Sequence, residues 1–360
     1  MTQNISTTLS TTIPSITSCN PKYLVEARRH LDDLTKPIGS LGRLENIAAQ
    51  VFSILGGDIK FPMHRGAYIF AADHGVTEEG VSAYPREVTV QMAYNILQGG
   101  AGISVLARFH HAELTLVDVG VDTEFDSAGG LCRAKVRRGS RNMHLEAAMT
   151  HEELSAALDV GIRMANEAKD KGMTLVSVGE LGIGNTTAAS AIAVALTKKS
   201  SDILTGPGTG LDSAGRNRKR QIIEESVKLH FGDLKDSIDP LEVLRCVGGL
   251  EIAAMTGFIL GAAANQMVVI CDGVISTAAA AVAYAIAPNV REYLIAGHCS
   301  EEPGHQYLLQ YIGLTPILGL GMRLGEGTGA VLAMPIIESA VRLFAEMATF
   351  SSAGVSTATE

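Results

Sequence analysis

Five times along this chain a short apolar run ends in a small or acidic residue beside glycine, and a helix-forming segment follows. The runs are Ala67-Tyr68-Ile69-Phe70-Ala71-Ala72-Asp73-His74-Gly75, Leu114-Thr115-Leu116-Val117-Asp118-Val119-Gly120, Thr174-Leu175-Val176-Ser177-Val178-Gly179, Met267-Val268-Val269-Ile270-Cys271-Asp272-Gly273 and Tyr293-Leu294-Ile295-Ala296-Gly297. Strands that are apolar on both faces belong in a sheet covered on both sides. Helices between them are the crossovers that parallel strands require. The pattern predicts an α/β fold on one parallel sheet with helices on both faces. In such sheets the ligand crevice lies beyond the carboxyl ends of the strands. Asp73, His74, Asp118, Glu180, Asp272 and His298 are therefore expected to gather on one rim.

The two ends of the chain read differently. Residues 1–20 are rich in Ser and Thr and are expected to form a disordered lead-in. Asn20-Pro21, a cap followed by proline at the first helical position, should open the first ordered helix. A second helix should follow the Gly39-Ser40-Leu41-Gly42 turn and end near Gly56-Gly57. After Gly329 a long helical pattern covers residues 331–350, followed by a Ser/Ala/Thr tail. These segments suggest a small helical domain from residues 21–60 and 330–350, beside a large catalytic α/β domain at 61–329. The uncharged stretch 252–270 is long enough to span a bilayer but contains Gly257, Gly261, Asn265 and Gln266. It reads as a buried helix running into a buried strand, so no membrane span is expected.

Composition narrows the function classes. The 360 residues carry a net charge of −9, and Arg216-Asn217-Arg218-Lys219-Arg220 is the one strongly basic run. Nucleic acid is therefore not the expected partner. Five scattered cysteines without a paired motif suit a reducing compartment. With no basic-then-apolar leader at the N-terminus, the expected location is the cytoplasm.

Three glycine clusters could carry chemistry. Gly179-Glu180-Leu181-Gly182-Ile183-Gly184-Asn185-Thr186-Thr187 follows a strand and opens an apolar helix. Backbone N–H groups at such a helix start form an anion site. Its spacing nearly fits a P-loop, but Asn185 stands where lysine is needed, which favours a monophosphate over a triphosphate. Gly206-Pro207-Gly208-Thr209-Gly210-Leu211-Asp212 can offer further N–H groups and a hydroxyl, with Lys219 one or two helical turns on. Leu324-Gly325-Glu326-Gly327-Thr328-Gly329 presents a carboxylate that could act as a general base if burial lifts its pKa. Tyr84 and Gln91 could clamp a flat heterocycle. Each cluster also reads as an ordinary turn. Asp73, His74, His298 and His305 permit a metal-dependent phosphohydrolase, although their spacing matches no standard metal motif. A nucleotide-binding module without turnover is the non-enzymatic alternative.

Taken in order, these segments resemble the nicotinate-nucleotide–dimethylbenzimidazole phosphoribosyltransferases, the CobT-type enzymes of cobalamin nucleotide-loop assembly. The resemblance runs over about residues 21–350. It is carried by Lys36-Pro37-Ile38-Gly39-Ser40-Leu41-Gly42-Arg43-Leu44-Glu45, Ala72-Asp73-His74-Gly75-Val76, Tyr84-Pro85-Arg86-Glu87-Val88-Thr89, the three glycine clusters, and residues 297–305. It implies a Rossmann-like fold, a homodimer, no cofactor and no metal. It also implies transfer of the ribosyl phosphate of nicotinate mononucleotide to 5,6-dimethylbenzimidazole, with inversion. By motif, Glu326 is the general base and Glu180 the second catalytic carboxylate. Gly182, Gly184, Asn185, Thr186, Thr187, Gly208, Thr209, Gly210, Lys219 and Ser300 would hold nicotinate mononucleotide. Ser82, Tyr84, Gln91 and Leu324 would line the benzimidazole pocket.

Overall fold

The computed structural model describes residues 6–125, 129–234 and 237–356. Residues 1–5 of the expected lead-in and 357–360 of the expected tail lie outside them. Six strands form the sheet: β1 (Arg65–Ala72), β2 (Glu113–Gly120), β3 (Leu131–Arg133), β4 (Leu175–Leu181), β5 (Val268–Cys271) and β6 (Leu294–Ala296). All pairings are parallel, in the order β3-β2-β1-β4-β5-β6. Five strands are the five apolar runs. The sixth, β3, is a partly exposed edge strand of three residues, too short and too polar to announce itself.

Chain order reverses where β1 is flanked by β2 and β4, and a doubly wound sheet opens its crevice at such a point. Across that junction Phe70 of β1 is in register with Glu180 of β4. The first glycine cluster therefore leaves the sheet at the switch point.

The sheet is covered by apolar helices. Helix His151–Asp170, started by a Thr150–Glu153 capping box, packs along helix Leu250–Ala264. Their backbones touch: a Cβ on Gly161 would strike the Ala254 carbonyl, and one on Gly257 the Leu158 carbonyl. Helix Leu250–Ala264 is apolar on every side because it is buried on every side, and β5 follows it. Helix Thr328–Glu346 is long and apolar enough to cross a membrane by length and composition alone. Ala330, Val331, Ala333, Met334 and Ile337 on it are nevertheless buried inside the protein, where it packs on helix Arg43–Ile54.

One expectation is corrected. The lead-in is not disordered from residue 6 onward: Thr7–Ser15 is a helix, and Ser6 caps it by accepting from Leu9 N at 3.0 Å. Leu9 and Ile16 are almost wholly buried, the helix packs on the His151–Asp170 and Leu250–Ala264 pair, and Ser6 Oγ donates to Asp159 Oδ1 at 2.6 Å. Several of its hydroxyls (Thr11, Thr12, Ser15) donate back to carbonyls three or four residues earlier. Ser/Thr composition concealed an apolar face made by Leu9, Thr12 and Ile16.

Helix Pro21–Asp33 does begin at the Asn20 cap. The two ends of the chain meet: His30 Nε2 bonds Phe344 O at 2.7 Å, and the Phe52 and Phe344 rings lie 5.0 Å apart. Between helices Pro21–Asp33 and Arg43–Ile54, Lys36 Nζ lies 2.8 Å from Glu45 Oε1, and Glu45 accepts from Leu41 N.

Candidate active site

Beyond the carboxyl ends of β4, β5 and β6 a cavity of about 260 Å³ brings the three glycine clusters together. Residues that follow each of these strands contribute to its lining, as the rim argument requires.

The first wall is the turn after β4. Gly184 has φ +96°, a conformation that suits glycine, and it sets the start of helix Asn185–Thr197. Thr89 Oγ1 accepts from Ile183 N at 3.1 Å and fixes the turn from outside. Glu180, near the carboxyl end of β4, is nearly buried, and Asn185 Nδ2 donates to its Oε2. Burial pushes Glu180 up to about 8. The Asn185 hydrogen bond opposes the rise, while the Glu251, Asp272 and Glu326 carboxylates add to it.

The second wall is the loop at residues 206–210. Lys219 reaches it from helix Ser213–Phe231, with no surface exposed, and its Nζ donates to Thr186 Oγ1 at 2.7 Å. A Cβ on Gly208 would lie 2.9 Å from that nitrogen, so glycine is what lets the ammonium pass close to the loop. Burial pulls Lys219 down to about 8, against the opposing pull of Glu302. Glu302 Oε1 accepts from Gly208 N at 2.9 Å, and Arg323 Nη1 donates to Gly208 O at 3.1 Å. Thr209 Oγ1 accepts from Ala83 N at 3.0 Å and lies 3.1 Å from Ser82 Oγ, tying the 80–89 loop down.

The third wall is the turn that carries Glu326. Three consecutive residues have left-handed backbone: Gly325 (φ +82°), Glu326 (φ +59°) and Gly327 (φ +81°). Glycine accepts this freely; a glutamate there is strained by roughly 1–2 kcal/mol. The turn also fits tightly. A Cβ on Gly325 would meet the Glu180 carboxylate, and Gly327 lies against Gly179 of β4. Glu326 is almost buried, and its Oε2 accepts a long hydrogen bond of 3.4 Å from Ile103 N. Burial raises its pKa, the Ile103 N–H opposes this, and Asp272 adds to it. A carboxyl so placed is a stronger base than an exposed glutamate and is suited to accept a proton.

Most of the residues expected from sequence meet at this cavity. Glu180, Gly182, Asn185, Thr186, Gly208, Thr209, Ser300, Leu324, Glu326 and Tyr84 line it. Gly184, Thr187 and Gly210 belong to the turns behind the lining, and Lys219 lies beneath them. Ser82 sits behind Thr209. Gln91, exposed on helix Val88–Leu97, is not brought to the lining. Sequence reading missed Glu302 and Arg323, which bond the N–H and the carbonyl of Gly208 respectively. Glu302 follows β6, so the rim rule could have found it; Arg323 gives no such signal.

The four side chains of the metal alternative are committed separately. His74 Nε2 meets Glu251 Oε1 at 2.6 Å, and Asp73 accepts from Asp122 N at 2.8 Å. His305 accepts from Ser300 N on Nδ1, which leaves Nε2 to donate to Thr277 Oγ1, and burial pulls its pKa down to about 3. His298 Nε2 lies 3.5 Å from Asp272 Oδ1. Among the described residues no three His, Cys, Asp or Glu side chains form a metal-binding group.

A larger cavity, about 500 Å³, lies between helix Arg43–Ile54 and β6. Its charged groups are spent on backbone: Arg43 donates to the Thr315 and Pro316 carbonyls, Arg291 to those of Ile312 and Gly313, and Glu292 accepts from Cys19 N. The smaller cavity has the chemistry.

The chain is similar to known proteins over nearly its whole length. A phosphoribosyltransferase family model matches residues 16–355. The nicotinate-nucleotide–dimethylbenzimidazole phosphoribosyltransferase of Geobacter sulfurreducens is 50% identical over 97% of this chain and 98% of its own length. The protein of the same name from Geotalea uraniireducens is 50% identical over 92% of this chain and 94% of its own. The crystal structure of CobT from Thermus thermophilus superposes with a TM-score of 0.88 at 44% identity, covering 94% of this chain and all of that one. Matches of this extent, in sequence and in fold, make the chain a member of the nicotinate-nucleotide–dimethylbenzimidazole phosphoribosyltransferase family.

Proposed function

We propose that the chain transfers the 5-phosphoribosyl group of nicotinate mononucleotide to 5,6-dimethylbenzimidazole, giving α-ribazole 5′-phosphate and nicotinate. The observation that carries the proposal is Glu326, a buried carboxylate with its pKa raised, held in left-handed backbone opposite Glu180 and a helix-start anion turn.

One nitrogen of the azole attacks the anomeric carbon as the C–N bond to the pyridinium breaks. The bonding pair leaves with nicotinate, whose ring nitrogen becomes neutral, so the leaving group needs no acid. Attack from the opposite face inverts the anomeric centre. Glu326 takes the N–H proton from the far side of the azole. Glu180 faces positive charge developing on the ribose. The 182–187 turn, the 208–210 loop, Lys219 and Ser300 hold the phosphate, ribose and nicotinate. Tyr84 and Leu324 bound the flat base, with Ser82 and Gln91 as its more distant neighbours. The sequence supports no requirement for a metal or cofactor.

The same reading places residues 21–60 and 330–350 in a small helical unit beside a catalytic unit at 61–329. It makes the protein a cytoplasmic homodimer, a state that sedimentation equilibrium measures directly. The decisive assay mixes nicotinate mononucleotide with a panel of azoles and identifies products by mass. Glu326→Gln should lower turnover by at least about 100-fold, the usual scale of a general base, while nicotinate mononucleotide still binds. Unchanged turnover removes Glu326 from the role of base.

A further inference from the structure

Asp272 is outside every role assigned above, yet it is the residue on which the Glu326 turn rests. It follows β5 and is almost wholly buried. Its Oδ2 accepts from Gly327 N at 3.1 Å and its Oδ1 from Ala330 N at 3.0 Å. The first of those N–H groups belongs to the residue after Glu326. The second belongs to the first turn of helix Thr328–Glu346, which has no side-chain cap of its own. Gly327, the residue at the cap position, cannot supply one. One carboxylate thus does two jobs: it caps the helix start and ties down the peptide that follows the catalytic glutamate.

Three observations make this more than an ordinary cap. The tied segment is left-handed at three consecutive residues, one of them a glutamate, and such backbone persists only where surroundings over-determine it. The Glu326 side chain is anchored by the long Ile103 N–H bond, a weak restraint, so its position depends on its backbone. Finally, the opposite side of the segment is fixed by close packing on Gly179 and on the His298 ring, which a Cβ at Gly329 would strike. His298 also lies 3.5 Å from Asp272 Oδ1.

We propose that Asp272 is a positioning residue for the phosphoribosyl transfer: its carboxylate clamps the Gly327 and Ala330 amides and so holds the Glu326 carboxylate at the acceptor. The proposal rests on the general-base reading of Glu326. Asp272 is not among the residues that line the cavity. Its charge has a second effect, because it is one of the groups that raise the Glu326 pKa. The other titratable or charged groups around the cavity are Glu180 from β4, His298 and Glu302 beyond β6, Tyr84 of the 80–89 loop, and Arg323 on the turn itself. Removing the Asp272 charge should therefore lower the Glu326 pKa and move the acid limb of the rate profile to lower pH, since the base must be ionised to act.

The test compares wild type, Asp272→Asn and Glu326→Gln. In Asp272→Asn the amide can satisfy one N–H but must oppose the other. Expected for that variant are nicotinate mononucleotide binding within about threefold of wild type and kcat lower on the order of a hundredfold, the cost of a misplacement near 1 Å. The acid limb should shift down, and hydrogen exchange should quicken at Gly327 and Ala330 but not along β5. A kcat within twofold of wild type, or a fall in kcat with an unmoved acid limb and unchanged exchange, overturns the clamp. If Asp272→Asn does not fold, wild type alone decides: Gly327 and Ala330 amides exchanging as fast as the exposed Arg323 amide overturn it. Wild type without turnover would sink the general-base reading, whereas exchange at those two amides would still judge the clamp.

Discussion

A lysine with no exposed surface, hydrogen bonded to a neutral hydroxyl, should destabilise the protein it serves. Lys219 is such a residue. Its pKa falls from 10.5 to about 8, with burial as the main cause. At about 1.36 kcal/mol per pH unit, keeping the ammonium charged at neutral pH costs folding about 3 kcal/mol. Loss of the Thr186 hydrogen bond offsets about 1 kcal/mol of any gain from removing it. Lys219→Met, similar in length and apolar, should therefore stabilise the unliganded protein at pH 7 by about 2 kcal/mol. The sign fixes the pH dependence. Below the folded pKa of about 8 both states are protonated and the penalty is complete. As pH rises from there towards 10.5 the native state loses its proton first, so the penalty fades. Wild type and variant should converge in urea unfolding free energy between pH 7 and pH 9.5. The variant should also lose phosphate affinity, by about 2 kcal/mol or more, which is roughly 30-fold in Kd for nicotinate mononucleotide. A variant less stable than wild type at pH 7, with a gap that does not change with pH, would refute the reasoning.

Glu180 carries the opposite dependence. Its pKa is raised to about 8, so the native state keeps its proton where the unfolded chain has lost it, and stability should fall from about pH 4.5 to 8. Glu180→Gln should flatten that decline in unfolding curves; an equally steep decline would show that another group titrates. Gly325→Ala combines left-handed backbone with a Cβ driven into the Glu180 carboxylate. It should lower both kcat and stability, the latter by roughly 1–3 kcal/mol, as read by turnover and denaturant midpoint. Leu9→Ala should cost about 2–5 kcal/mol, because Leu9 is buried under the N-terminal helix, and a neutral result would mean that this helix does not contribute to the core.

The sheet was legible because its strands are apolar on both faces, a signal that needs no tertiary information. The rim carboxylates followed from the carboxyl-end rule. What sequence could not reveal was set by long-range contacts. Leu9 and Ile16 look incidental among serines and threonines until the helix pair that buries them is present. Arg323 and Glu302 meet at Gly208 from positions 115 and 94 residues away, a meeting that no local spacing encodes. Glu326 shows both limits. Flanking glycines marked an accessible carboxylate, but the left-handed backbone, the burial and the support from Asp272 appear only in three dimensions.

The charge balance of the cavity explains why so much strain and burial are tolerated there. Glu180, Glu302 and Glu326 line it with Arg323, while Asp272, Glu251 and Lys219 lie just behind. By itself it is an anionic pocket in which burial pushes Glu180, Glu326 and Asp272 towards neutrality and Lys219 the same way. A substrate carrying a phosphate dianion at one end and a pyridinium cation at the other reverses both pressures. The phosphate favours charged Lys219, and the cation favours ionised Glu180. Binding should thus release a proton at one end and take one up at the other, with little net change near pH 8. Calorimetry in buffers of different ionisation enthalpy should find near-zero net proton exchange for nicotinate mononucleotide at pH 8. For a ribose phosphate lacking the pyridinium only the lysine responds, and net uptake should appear. Equal uptake for both ligands would mean that the pyridinium does not meet Glu180.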